Sequence, residues 1–190
     1  MTVADLEGHG RAAIVVRLTT GGAHCCSVVQ FDVTFPEMPG TYTTREKNFG
    51  DPGMAIGPRA PDGHVELISA DDRFAYAFTP YAYSGLPVQI WELREMTLVD
   101  VTRRSPAAIT ADARRQLTGF VAKRHQGLGN GLIAAWAADE EMLGKDRLVR
   151  ATLAREAGHG RLRSRQLYGP SGKAFVKQLL QFLKRTGYRR

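Results

Sequence analysis

Apolar positions fall into two regimes along the chain. Over the first hundred residues they form short, β-branched or alternating runs: 12–18, 27–35, 41–47, 65–69, 74–78, 88–93 and 97–101. Clusters of Gly, Pro, Asp and Asn separate them, at 21–22, 36–40, 48–53, 57–63 and 84–87. Short runs bounded in this way predict antiparallel strands joined as hairpins or blades. After residue 102 the apolar positions recur at helical spacing. Thr110 is placed to cap a helix through His125, with Leu117, Phe120, Val121 and Arg124 on one stripe. A second helix covers 132–143, with Leu132, Trp136 and Leu143 aligned and Gly144 as its stop. Asp146 would cap a third, running to Ala157, and Ser171 a fourth, in which Phe175, Leu179, Phe182 and Leu183 share a face. One-sided helices need a covering surface, and the sheet region is the natural one. The expected fold is therefore α+β: an antiparallel β region followed by about four α-helices packed on it.

The β region carries signs of an internal repeat. With His9-Gly10 placed on Asp62-Gly63, Ile14-Val15 falls on Leu67-Ile68. Residues 27–33 then correspond to 88–93, and 41–47 to 96–102 with a shifted register. The period is near 55 residues, the scale of a propeller blade. Two degenerate blade-like units cannot close a ring, so their open edges must be covered.

Charge sharpens the division. Of 190 residues, 26 are Lys or Arg and 19 Asp or Glu. Residues 1–101 hold 7 basic and 13 acidic groups; residues 102–190 hold 19 and 6. That asymmetry predicts two domains, a β-rich 1–101 and a basic helical 102–190. The 43% hydrophobic content is that of a folded protein. No apolar run approaches the roughly 18 residues that span a bilayer. The N-terminal residues lack a basic then apolar secretory pattern, so no signal peptide is expected in this chain.

Candidate chemistry concentrates in the β region. Residues 5–26 read D-L-E-G-H-G-R-A-A-I-V-V-R-L-T-T-G-G-A-H-C-C, and 61–69 read P-D-G-H-V-E-L-I-S. Acidic residues at alternate positions around a Gly turn can surround a hard cation, which makes Asp5, Glu7, Asp62 and Glu66 calcium-loop candidates. His9 and Ala13 stand where further oxygen ligands would be needed. Loops kept only for their turn geometry fit the same residues. His24, Cys25 and Cys26 suit a soft metal such as Zn²⁺, a disulfide, a thiol-dependent enzyme, or a buried structural cluster. Asp71, Asp72 and Arg73, with Tyr76, Tyr81 and Tyr83 beyond them, could form a ligand surface for a sugar or a peptide. Gly127–Gly131 and residues 168–174 resemble phosphate loops but lack the required Lys and Gly spacing, and read as caps and linkers. Arg161, Arg163, Arg165, Lys184 and Arg185 could meet a polyanion, but no nucleic-acid-binding motif accompanies them.

The segment at 5–26 resembles the D-L-D-G-D-G turn of FG-GAP and VCBS-type repeat proteins. More narrowly it resembles a group of actinobacterial secreted proteins with the same turn followed by G-G-A-H-C-C. Residues 70–78 (A-D-D-R-F-A-Y-A-F) and 86–91 (L-P-V-Q-I-W) fit that group. The resemblance implies β-blade architecture, an extracytoplasmic setting and no catalytic activity. The expectation is thus a non-catalytic binding or structural module, with an unknown protein or carbohydrate as partner. No cofactor is expected beyond Ca²⁺ or Zn²⁺ at the loops and the triplet above. The alternatives are a thiol- or metal-dependent enzyme using His24, Cys25 and Cys26, and a polyanion-binding protein using the basic helices.

Overall fold

The computed structural model describes the backbone at residues 1–22, 25–35, 38–164 and 169–189, and the side chains there except those of Thr20, Cys25, Phe35, Met38 and Pro39. The chain forms two compact units: Met1–Asp72 with Gln89–Thr102, and Arg73–Val88 with Arg103–Arg190. Residues 73–88 therefore belong with the helices, so one unit is interrupted by a piece of the other.

The first unit holds two four-stranded sheets, each with its strands in chain order. The first contains β1 (Thr2–Ala4), β2 (Ala13–Gly22), β3 (Cys25–Phe35) and β4 (Met38–Asn48). The second contains β5 (Ala55–Arg59), β6 (Val65–Ala70), β7 (Val88–Arg94) and β8 (Thr97–Asp100). The described pairings are antiparallel, and the sheets do not close into a ring. Segments aligned as an internal repeat take the same places: β2 and β6 are second strands, β3 and β7 third, β4 and β8 fourth. Strands β1 and β5 escape the sequence pattern, because β1 has three residues and β5 is interrupted by Gly57 and Pro58.

Alternation explains which face is buried. Val29, Phe31 and Val33 of β3 point inward, with Ala13 and Val15 of β2 opposite in register. Gln30 and Asp32 take the other face, where Gln30 and Thr44 donate to the Asp32 carboxylate. Leu6, Phe49, Met54, Val65, Leu67, Leu93 and Met96 complete this core. The β7–β8 hairpin turns on Glu95 and Met96, both at positive φ (46° and 61°). A two-residue turn needs that conformation, although neither residue type favours it. Burial of Met96 in the core and a bond from Arg45 Nε to its carbonyl (3.1 Å) hold the turn.

The second unit contains α1 (Pro106–Lys123), α2 (Asn130–Met142), α3 (Asp146–Gly158) and α4 (Gly172–Arg185). Helix α1 starts at Pro106, four residues before the expected Thr110 cap, because proline at a first helical position loses no hydrogen bond. The helices meet in a core of their own, containing Ala113, Phe120, Ile133, Trp136, Val149, Leu153, Phe175, Leu179 and Leu183. Phe74 and Phe78 join it. They are not in a strand, as their alternation with Tyr76 predicts, but in a short 3-10 turn and the loop after it. The Phe74 ring meets Phe182 at 4.9 Å and Tyr188 at 5.5 Å, edge to face, and Phe78 meets Phe175 at 5.6 Å. Aromatic packing against α4 thus overrides strand propensity. No described helix is long and apolar enough to cross a membrane.

Candidate functional site

In the β unit, the β1–β2 turn and the β5–β6 turn lie against each other. Gly8 and Gly10, at φ +76° and +75°, let the first turn reverse. The Asp5 carboxylate accepts the N–H groups of Gly8 (2.8 Å) and Gly10 (3.0 Å). Arg59 bridges the turns: it donates to the Asp5 carbonyl (2.9 Å) and to the Gly63 carbonyl, with the Asp5 carboxylate 4.0 Å away. The His9 and His64 rings meet edge to face at 6.1 Å, and Val65 N–H donates to the Leu6 carbonyl (2.8 Å). Partial burial pushes the Asp5 carboxyl up, but the Gly10 and Gly8 amides and Arg59 outweigh it and hold the group below its ordinary value.

Guanidinium groups stand where a hard cation would neutralise these loops. Buried Glu7 pairs with Arg11 (3.2 Å). Arg94 donates to buried Glu92 (Nε–Oε2 2.7 Å) and to Asp62. That bond, the largest influence on Asp62, holds its carboxyl below the usual range. Asp5, Glu7, Asp62 and Glu66 do not form one oxygen cage: among the described residues, the only group of three bringing ligand atoms together is Asp62, His64 and Glu92, within 4.8 Å of one another. The sequence pattern pointed to Asp62 but not to Glu92, Arg94 or Arg59. One signal was available, since Glu92 and Arg94 are two apart on a strand and so share a face.

The other candidates are placed as follows. Cys26 is disulfide-bonded, so it offers neither a thiol nucleophile nor a thiolate ligand; His24 and the Cys25 side chain lie outside the described residues. Asp71 is buried, and the Asp72 carboxylate accepts the Asp51 N–H (3.3 Å). Arg73 donates to the Thr186 carbonyl (3.3 Å) and lies over the Tyr188 ring. Tyr76 is 55% exposed at φ 58°, with the Tyr81 ring 5.5 Å away, while half-buried Tyr83 lies under Lys123.

Many basic residues of the helical unit are used internally. Buried Glu156 pairs with Arg124, Arg155 and Arg161. Burial raises its carboxyl, and the three arginines more than offset this. Arg163 donates to the Gly160 carbonyl (2.9 Å), Lys184 and Arg185 are exposed in the last turn of α4, and Arg165 lies outside the described residues. A cavity of about 560 Å³ is lined by Arg103, Glu141, Asp146, Tyr188 and Arg189 among others. Its two arginines are engaged locally: Arg103 donates to the carbonyls of Met142, Gly187 and Tyr188, and Arg189 Nε lies 3.0 Å from Asp146 and 3.5 Å from Glu141.

Two curated proteins match the chain. A "Probable thylakoid lumen protein" of Synechocystis sp. is 31% identical over 140 residues, covering 70% of this chain and 40% of that protein. An "Uncharacterized protein" of Sinorhizobium fredii is 33% identical over 129 residues, covering 65% of this chain and 20% of that protein. The chain thus spans less than half of either relative. No family model and no solved structure matches it.

Proposed function

We propose that this chain is a non-catalytic binding module of an extracytoplasmic protein, and that residues around Tyr76 carry its contact surface. The observation that carries the reading is Tyr76 itself. A large aromatic side chain stands in solvent, in a left-handed backbone conformation that costs about 1–2 kcal/mol. Strain of this kind persists where the surroundings enforce it and is concentrated at ligand contacts. Here Ser84 Oγ accepts the Tyr76 N–H (3.1 Å), and the Tyr81 ring lies alongside. Two neighbouring phenol rings offer apolar faces side by side, which suits the face of a sugar ring.

The disulfide at Cys26 supports an oxidising compartment, and the name of the Synechocystis relative is consistent with one. The equal placement of the aligned segments in the two sheets supports descent from FG-GAP/VCBS-type repeats, with arginines in place of the ion. The decisive experiment is a glycan-array screen of the wild type beside Tyr76→Ala/Tyr81→Ala, with circular dichroism verifying that both fold. Binding by the wild type that falls at least tenfold in the variant supports the proposal. Binding unaffected by the variant, or retention of a protein partner alone, removes the carbohydrate surface.

A further inference from the structure

We propose that Asp62, His64 and Glu92 form a divalent transition-metal site, of the kind that takes Zn²⁺, for which Arg94 is the built-in competitor. The three side chains come from two places: the β5–β6 turn supplies Asp62 and His64, and β7 supplies Glu92. One ligand atom from each lies within 4.8 Å of the other two. That is slightly more than the roughly 4 Å that donors about 2.1 Å from one ion can span, so a small closing of the side chains brings all three to a single ion. His64 Nδ1 lies 3.4 Å from Asp62 Oδ1, is shielded from solvent and makes no hydrogen bond. A shielded imidazole nitrogen without a hydrogen bond, turned toward carboxylates, is arranged as a ligand. Exposure is graded across the group: the Glu92 side chain is 4% exposed, that of His64 13% and that of Asp62 46%. The ion would enter from the Asp62 side, and water would complete its shell.

Arg94 occupies the position of positive charge. Its Nη2 contacts both Asp62 and Glu92, the second at 2.6 Å. Its side chain is 30% exposed, so it can swing into solvent without a large apolar loss. The same carboxylates therefore hold either a guanidinium or a metal ion. The imidazole decides which metal: nitrogen favours Zn²⁺ and its neighbours over Ca²⁺ or Mg²⁺, which take oxygen.

The test is calorimetric titration of metal-stripped protein with ZnCl₂ at pH 7.5, repeated with CaCl₂. Co²⁺ absorption serves as a second readout of nitrogen–oxygen coordination. One Zn²⁺ per chain is expected, lost in His64→Ala and weakened at least tenfold in Glu92→Gln, with no calcium response. Arg94→Met removes the competitor and should tighten zinc binding at least tenfold. Equal binding by wild type and His64→Ala would assign the ion to other surface groups and overturn the proposal, as would an Arg94→Met variant that binds no tighter. If Arg94→Met does not fold, the wild-type and His64→Ala pair decides alone.

Discussion

Replacing Gly8 by alanine tests the facing turns. A Cβ at Gly8 would lie 2.5 Å from the Gly63 carbonyl oxygen, 3.0 Å from its carbon and 3.1 Å from Arg59 Nη1. The arginine tip can move, but the carbonyl belongs to the second turn. Two costs add: alanine at φ +76° loses about 1 kcal/mol, and forcing the turns apart costs about 1–3 kcal/mol, as overpacking does. Gly10 is the internal control, since it has nearly the same φ but nothing within 4 Å of its Cβ. Gly8→Ala should therefore lower stability by about 2–4 kcal/mol, and Gly10→Ala by about 1. With two units, global unfolding need not be two-state. The assay is accordingly native-state hydrogen exchange at the Val15 and Phe31 amides, inside the affected core. If the two variants differ by less than about 0.5 kcal/mol, the turns do not meet as described.

Two further predictions concern buried acids of the helical unit. Burial, then the negative charge of Asp112, pushes the Asp139 carboxyl up to about 10, so it is neutral at pH 7. A raised value means that this group's stabilising share is full below its unfolded value of 3.8 and is lost as pH rises toward 10. Asp139→Asn should then match or exceed wild-type thermal stability at pH 7, with its advantage growing toward pH 9; a clear loss at pH 7 would mean that the group is ionised. Burial, followed by the charge of Asp146, raises Glu141 to about 7. Its favourable share is present below 4.5 and lost through pH 7. Melting curves between pH 4.5 and 7.5 should therefore show a decline in the wild type that Glu141→Gln flattens.

Local pattern was sufficient for the elements with strong periodicity. Alternation in residues 27–33 and the Leu-Phe stripe of 175–183 each identify a buried face, because period and burial coincide within one element. The strand order within the two sheets was also legible, since the segments aligned in the sequence take the second, third and fourth places of each. Phe74 and Phe78 were not: a run of alternating aromatics reads as strand, and only the neighbouring α4 surface makes a turn the better solution for it. The acidic turns divide in the same way. Sequence spacing placed Asp5, Glu7 and Asp62 on loops, where carboxylates could gather about a cation. Tertiary structure decided what neutralises them, because Arg59 and Arg94 lie far along the chain from Asp5 and Asp62, and folding alone brings them together. Electrostatic partners separated by 32 and 54 residues leave no trace in local periodicity, whereas a buried stripe is written wholly within its own element.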